Sequence, residues 1–413
     1  MDCLLFTKSP MKIIKLKISL FSILFVAILS NSYAQEKSPA HLGFFYPIST
    51  HGTEAANYSN NFSLHILTGL SGGENGAAIY GLAGMVKGDV KGAQISSLWN
   101  HASGNVTGLQ AAGILNQSAN ATQAAQVAGI ANLNQGNSAF QAAGIFNLAK
   151  DIDGAQLAGI ANIGNKLHGI QAAGISSTAQ SVNGLQIAGI ATISPIIDGG
   201  QIAGIATVAK SVKGFQIAGI SNVAEHVDGM QISALVNRAK KVNGMQIGLI
   251  NIADSSEVTI GMVNIVKNGD RRLGVSLDEN LNSFLTFRSG GKIIYGIFGL
   301  GANFYYDQRL YGIESGLGLN LTESKNFRLD VEGVSKYLTD FDGNEYSKFS
   351  FLLLPTLKIS ENFHLFAGPN ISYMYSNDLG IEDNFGLTIW DETKRENYQA
   401  VLLGFTAGVN VRF

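Results

Sequence analysis

The sequence has almost no cysteine, because Cys3 is the only one in 413 residues. Cys3 lies upstream of the cleavage position expected below. Disulfide bonds and thiolate metal sites are therefore excluded from the rest of the chain. Its stability must come from packing and from hydrogen-bonded backbone ladders.

Charged residues and proline are also scarce, at 14% and 6 residues, whereas glycine is abundant at 49 residues. Average proteins have about a quarter charged residues and about 7% glycine. The net charge is -2, so no basic field would attract nucleic acid. This balance is unusual for a soluble enzyme.

Recognisable catalytic chemistry is missing as well. The seven histidines are scattered without the spacing of metal ligands, and no catalytic or phosphate-binding motif occurs in a fitting context. Runs of glycine belong to the repeat described below, so turn geometry explains them better than a phosphate loop. We therefore predict that the chain is not an enzyme and has no catalytic, cofactor-binding or metal site.

The first segment has the pattern of an export signal. Lysines precede an apolar run over 18–29, which is too short to span a bilayer comfortably. Small residues at Ser32 and Ala34 fit a cleavage site, so we expect a signal peptide over 1–34 and a mature chain that begins at Gln35. The alternative is a retained membrane anchor.

The middle of the chain repeats, first at sixteen and then at fifteen residues. Each unit has a Gln, a Gly usually three residues later, an Ile or Leu four later, and often Asn or Thr six later. The glutamines that mark the repeat are Gln94, Gln110, Gln126, Gln141, Gln156, Gln171, Gln186, Gln201, Gln216, Gln231 and Gln246.

Glycine and β-branched residues at this density disfavour helix. We predict two short strands per unit, with each unit forming one coil of a thin β-solenoid. Stacked coils would let Gln and Asn side chains form amide ladders. Either the set formed by Gln, Ala, Ile and Asn or the intervening set around Ile217 points inward; if the second faces out, the rod carries an apolar stripe that needs a partner. The alternative is an antiparallel sheet or large barrel with one strand per unit.

The sequence changes near residue 270, where aromatic residues, charges and long alternating segments begin. Apolar-out, polar-in alternation over ten or more residues is typical of β-barrels. We predict eight antiparallel strands, with long polar loops over 338–346 and 377–397, and a soluble β-sandwich as the alternative. The candidate strands are 272–278, 282–289, 292–306, 309–322, 325–337, 347–360, 363–376 and 398–413.

The last strand also resembles the terminal signal of outer-membrane barrels, because it ends in an aromatic residue. Its apolar side includes Phe405, Val409, Val411 and Phe413. Eight strands leave a lumen that side chains fill. The candidate lumen charges, interpreted as an ion-pair network or alternatively as a proton or ion path, are Glu314, Arg328, Asp330, Glu332, Lys336, Lys358 and Arg412.

The repeat Gly-x-Gln-Ile-Ala-Gly-Ile-x-Asn follows two further segments, Tyr46-Pro-Ile-Ser-Thr50 and Asn61-Phe-Ser-Leu64. Together they resemble an uncharacterised family of bacterial surface-repeat proteins over about residues 42–266. The resemblance implies exposure at the cell envelope and supplies no catalytic residues. The expected organisation is a signal peptide over 1–34, a cap over 35–75, an all-β repeat solenoid over 76–268 and a barrel over 269–413.

These observations predict a non-enzymatic cell-envelope protein of a Gram-negative bacterium. The barrel would anchor it in the outer membrane, and the solenoid would present a surface for a protein or glycan. The alternative is a barrel that transports a small solute or exports the repeat region. Eight strands would place the solenoid in the periplasm and seven would place it outside the cell, so the side stays open here.

Overall fold

The computed structural model describes residues 35–291, 293–305, 309–377, 385–394 and 397–413. These residues are nearly all β, and they form a β-solenoid followed by an antiparallel barrel. The predicted fold class is therefore confirmed. No helix among the described residues is long and apolar enough to cross a membrane. The expected signal peptide lies outside the described residues.

The solenoid begins with short strands that lie against its first coil. Strands β1 and β2 both pair in parallel with β4, and a 3-10 helix over Gly52–Asn57 leads into β4. Strand β4 in turn pairs in parallel with the next coil. The first four strands are β1 Glu36–Ser38, β2 His41–Phe45, β3 Ile48–Ser49 and β4 Tyr58–Ser71.

Apart from β8 and β9, which are both 14 residues long, the rest of the solenoid alternates long and short strands. These strands are β5 Gly73–Tyr80, β6 Ala83–Val86, β7 Val90–Ser96, β8 Trp99–Ala112, β9 Leu115–Ala128, β10 Ala131–Asn134, β11 Asn137–Ala143, β12 Phe146–Leu148, β13 Asp151–Ala158, β14 Ala161–Ile163, β15 Lys166–Ala173, β16 Ser176–Thr178, β17 Ser181–Ala188, β18 Ala191–Ile193, β19 Ile196–Ala203, β20 Ala206–Val208, β21 Ser211–Ala218, β22 Ser221–Val223, β23 His226–Ser233, β24 Val236–Arg238, β25 Lys241–Ile247, β26 Ile250–Ala253, β27 Ser255–Ile260 and β28 Val263–Val266.

Each strand pairs in parallel with the equivalent strand one coil away. In the regular part the register is fifteen residues, so that Ser181 pairs with Ile196 and Ala191 with Ala206. Parallel pairing excludes the antiparallel alternative for the repeat. The long strand bends at a glycine of positive φ, as at Gly184 (φ 140°). Three short straight segments therefore make up each coil.

The structure also decides which residues face the inside of the solenoid. Gln186, Ala188 and Thr192 are buried, and Val182 joins them from the segment before the bend. Ile187 is half-buried and Ile190, at the turn, is exposed. The Gln, Ala and Asn positions of the first set therefore point inward, together with the Thr that replaces Asn in some coils. The Ile of that set was wrongly grouped with them, because it lies at the turn and faces out, as does the intervening set around Ile187. A narrow interior accepts these small and amide side chains because neighbouring coils stack in register.

The C-terminal part is a closed antiparallel barrel. Eight strands form the ring, since β29 pairs with both β30 and β37. The strands are β29 Asp270–Leu277, β30 Ser283–Gly290, β31 Ile294–Asn303, β32 Leu310–Glu323, β33 Phe327–Thr339, β34 Glu345–Lys358, β35 Phe363–Ser376, β36 Leu387–Lys394 and β37 Asn397–Arg412.

Strand β36 was not predicted, because its sequence falls in the expected polar loop 377–397. Among the residues that the structure describes, it pairs with β37 alone, over Leu387 to Lys394, beyond the point where β29 stops. Its alternation is broken by a register shift between Thr388 and Trp390. The barrel prediction missed it because such a shift removes the two-residue period on which strand recognition depends.

The last coil of the solenoid is joined to the barrel by hydrogen bonds. Asn264 donates its backbone N–H to Ser289 Oγ at 2.8 Å and its side-chain Nδ2–H to the Ser289 carbonyl at 2.7 Å. The turn at Gly261 lies against Gly296, where an added Cβ would come within 1.7 Å of the Gly261 carbonyl oxygen. The hairpin of β30 and β31 thus closes one end of the solenoid.

Candidate functional site

The glutamines that mark the repeat form one continuous ladder inside the solenoid. All of them, from Gln94 to Gln246, are buried. From Gln110 onward, each Nε2–H donates to the Oε1 of the glutamine one coil earlier, at 2.6–3.1 Å. Gln94, the first of the row, donates to the Gly84 carbonyl at 3.1 Å. Because a buried amide without a partner would destabilise the fold, the ladder fixes the register between coils.

A second ladder runs beside it through the short strands. From Asn100 to Asn162, and again from Asn222 to Asn264, each Nδ2–H donates to the Oδ1 of the asparagine one coil later, at 2.8–3.0 Å. The direction is opposite to that of the glutamine ladder. Ser177, Thr192 and Thr207 interrupt the asparagines in the middle of the rod. Both ladders are structural, and their amides are not accessible to a ligand.

The outside of the solenoid has two chemically different sides. The polar face consists of the residues three, five and six positions before each glutamine, such as Asp198, Ser211 and Lys210. The isoleucine ridge is the row of turn residues four positions after the glutamine. Its members are 41–45% exposed and are Ile114, Ile130, Ile145, Ile160, Ile175, Ile190, Ile205, Ile220 and Leu235.

Further apolar rows flank the isoleucine ridge on both sides. One row follows each glutamine directly and includes Val127, Leu157 and Ile187. The other belongs to the short strands and includes Ile163, Ile193, Val208 and Val223. An exposed apolar surface of this length is a candidate site of interaction.

The barrel interior holds most of the charges that were proposed for it. Glu314, Arg328, Asp330, Glu332 and Lys336 are all buried there. Arg328 contacts Asp330 at 2.8 Å, and Lys336 lies 3.7 Å from Glu314. Lys358 and Arg412 instead lie at the rim, because each is the last inward-facing residue of its strand; Lys358 pairs with Glu323, and Arg412 contacts Asp270 at 3.2 Å.

Several interior charges were not identified from the sequence. Arg272 contacts Asp330 at 3.2 Å, and Arg288 contacts Glu332 at 2.7 Å. Lys348 contacts Asp278 at 3.1 Å and Glu279 at 2.7 Å, both from the loop that follows β29. The two-residue alternation of the strands could have identified Arg272, Arg288 and Lys348 as inward-facing. No feature of the sequence indicated that the loop after β29 folds into the lumen.

The residues of the barrel terminus lie on its outer wall. Phe405, Val411 and Phe413 are exposed and Val409 is half-buried. Along β34 the same side carries Phe351 and Leu357, both exposed. The wall is therefore apolar outside and ion-paired inside, which is the arrangement that a lipid-facing barrel requires.

A histidine cluster that the sequence did not indicate lies at the start of the solenoid. The ring centres of His41 and His51 are 4.5 Å apart, and those of His41 and His65 are 4.4 Å apart. The parallel pairing of β2 with β4 brings them together. Burial lowers the pKa of His41 to about 4, with further lowering by His65 and His51, and burial also lowers the pKa of His65.

We expect this cluster to lose stability in mild acid. The unfolded segment takes up protons below a pKa of about 6.5, whereas folded His41 stays neutral until pH falls to about 4. The free energy of unfolding should therefore decrease as the pH falls from about 6.5 to about 4. Glu74 has the opposite effect on stability, because burial raises its pKa. As the pH falls, the folded state therefore takes up this proton at a higher pH than the unfolded state does, which favours folding.

Amide hydrogen exchange of strands β2 and β4 between pH 7 and 4 would measure this effect. The variant His41→Gln should flatten the pH dependence. His168→Gln, at an exposed histidine beside Asp153, should leave it unchanged. Equal pH profiles for the native chain and His41→Gln would contradict the explanation.

In the part of the chain that the structure describes, no three His, Cys, Asp or Glu side chains are arranged to hold a metal ion. No protein-family model, curated protein or solved structure matches this chain. The functional interpretation therefore depends on the geometry of the solenoid surface and of the barrel.

Proposed function

We propose that the chain is a non-enzymatic outer-membrane protein of a Gram-negative cell envelope, exported by a signal peptide over 1–34. The observation that carries this proposal is the closed eight-stranded ring with apolar residues outside and paired charges inside. Closure leaves no free strand edge in the ring, and lipid accepts only backbone whose hydrogen bonds are satisfied. The resemblance to bacterial surface-repeat proteins supports the same location.

The occupied interior favours an anchoring role over transport. Tyr295 and Glu332 meet in the lumen, where the phenol donates to Oε1 at 2.7 Å. The loop after β29 also reaches inside, and its Glu279 accepts a hydrogen bond from Asn370 at 2.8 Å. Eight-stranded barrels of this kind leave no aqueous channel. The second candidate function is solute transport, which would require these hydrogen bonds to break and the side chains to leave the lumen.

The position of the solenoid favours the periplasm. It enters the barrel at β29, whose Arg272 pairs with Arg412 at the C-terminal end of β37. The tight turns after Glu323 and Lys358 lie at the same end. Because short turns face the periplasm in outer-membrane barrels, we place the solenoid on that side, with its repeated polar face presented to a protein or a glycan.

A deletion that keeps the register tests this function. Removal of residues 157–231, a whole number of coils, joins Gln156 to Ile232 and preserves both ladders. Cosedimentation with isolated cell-wall glycan and cross-linking to envelope proteins in cells would measure binding. We expect the deletion to weaken binding while the barrel stays in the membrane fraction; undiminished binding to both kinds of partner would contradict the proposal.

Planar-bilayer recording separates the two candidate functions. The native chain should show no conductance, because paired side chains fill the lumen. Stable single-channel steps from the purified full-length protein would favour transport instead.

A further inference from the structure

The charges of the solenoid are confined to one side. Between Gln141 and Gln246, every Asp, Glu and Lys lies three, five or six residues before a glutamine, and therefore on the polar face. Arg238 is the one exposed charge elsewhere in that stretch. The isoleucine ridge and its flanking rows carry the apolar side chains, so the exterior is amphipathic over this stretch of the rod.

The apolar side continues onto the outer wall of the barrel. At the last coil, Ile260 and Met262 line one groove together with Leu317, Phe349 and Phe351 of the barrel. Met262 is the turn residue of its coil, next to the Gly261 that lies against Gly296. The ridge thus ends beside the wall that faces lipid in the proposed arrangement.

The shape of this surface identifies its occupant. The ridge lies at a turn between two apolar segments of each coil, so the apolar surface is convex. A flat partner, including a second copy of the solenoid, would cover one segment and leave the other in water. A fluid lipid surface can cover both, and an apolar side opposite a charged side is the usual pattern of structures that lie in a membrane interface.

We propose that the solenoid lies along the lipid surface of the membrane that holds the barrel. The isoleucine ridge and its flanking rows enter the headgroup region, and the polar face points to the aqueous phase. Arg238 reaches the headgroups with its charged end, as long cationic side chains do at interfaces. This proposal rests on the membrane barrel proposed above and adds a second, peripheral contact with the same bilayer.

Depth-dependent quenching tests the proposal in proteoliposomes of phosphatidylethanolamine and phosphatidylglycerol that contain brominated lipid. The full chain would carry Cys3→Ser and one labelling site for an environment-sensitive dye. The sites are Ile205→Cys on the ridge, Lys213→Cys on the polar face and Leu353→Cys on the barrel wall, all exposed positions. The dye at Ile205 should lose roughly half of its emission, because apolar faces at an interface enter by about 5–10 Å. The dye at Leu353 should lose at least as much, because the barrel wall contacts lipid in the proposed arrangement, and the dye at Lys213 should lose none.

The three sites distinguish failure of this inference from failure of the proposed function. Quenching at Leu353 without quenching at Ile205 would overturn the lipid contact and leave the barrel in the membrane. Absence of quenching at both would overturn both proposals. Energy transfer between differently labelled copies at Ile205, without quenching by lipid, would identify a second copy as the occupant, and equal quenching at Lys213 would overturn the orientation.

Discussion

Replacement of Gly184 with valine is expected to disrupt the middle of the solenoid. Gly184 has a φ of 140°, a conformation that is strained for any residue with a Cβ and most of all for a β-branched one. An added Cβ would also lie 2.1 Å from the carbonyl oxygen of Gly169 in the adjacent coil. We expect a loss of roughly 3 kcal/mol or more in the free energy of unfolding, since backbone strain alone costs about 1–3 kcal/mol.

A natural irregularity in the chain supports this expectation. Ala139 occupies the place of the bend glycine in its own coil, and the pairing there shifts register between Ser138 and Phe140. The coils around Gly184 pair without such a shift. Valine at position 184 would therefore disrupt the regular pairing of its strand with the strands of both neighbouring coils.

Urea unfolding of the full chain, followed by far-ultraviolet circular dichroism, would measure the loss. Ala191→Val is the matched control, because the equivalent position three coils later already holds a valine, Val236. The control should change stability by less than about 0.5 kcal/mol, as half-exposed surface substitutions do. Equal stability of Gly184→Val and Ala191→Val would contradict the role assigned to the bend.

Replacement of Glu332 with leucine is expected to destabilise the barrel by about 3–5 kcal/mol, the usual cost of removing one partner of a buried ion pair. Glu332 accepts hydrogen bonds from Arg288 Nε at 2.7 Å and Nη2 at 2.9 Å. All three groups that meet there, including Tyr295, are buried. The variant leaves the Arg288 charge inside the barrel without its bidentate partner.

The double variant Arg288→Met with Glu332→Leu is the control for charge. Because it removes both members of the pair, we expect it to recover most of the lost stability, as apolar replacements of whole buried pairs do. The temperature at which the folded barrel unfolds in detergent, read on a gel as a shift in mobility, would rank the variants. Equal loss in the single and the double variant would assign the effect to packing instead of charge.

Local periodicity explains what was predictable in this fold. The fifteen-residue spacing from Gln126 to Gln246 specifies one coil per unit, and the alternation around Phe405 specifies a strand that faces two environments. The barrel pattern also predicted that its charges face inward, whereas the fifteen-residue repeat alone does not determine which face of the solenoid is inside. The glutamines proved to be buried because each amide finds its partner in the next coil, a contact fifteen residues away in sequence that the residue type alone does not reveal.

Contacts between distant segments explain what was missed. His41 and His65 lie close together because β2 pairs in parallel with β4. The sequence around His41 does not follow the repeat, so it did not predict this pairing. Asp278 and Glu279 looked like an ordinary polar loop, and only the closed ring shows that they face Lys348. Prediction from one sequence recovers periodic elements, whereas such buried polar clusters depend on the completed fold.

The opposite directions of the two amide ladders have an electrical consequence. A long row of aligned amides polarises each member and adds its dipoles along the row. In the glutamine row the donors point toward the N-terminal coils, and in the asparagine row they point toward the barrel. The two axial dipoles therefore oppose each other in every coil that has both. A coil that has both rows can therefore be gained or lost without adding to the net dipole at the end of the solenoid where Asn264 meets Ser289. The coils of Ser177, Thr192 and Thr207, which lack the asparagine, contribute the glutamine dipole without the opposing one.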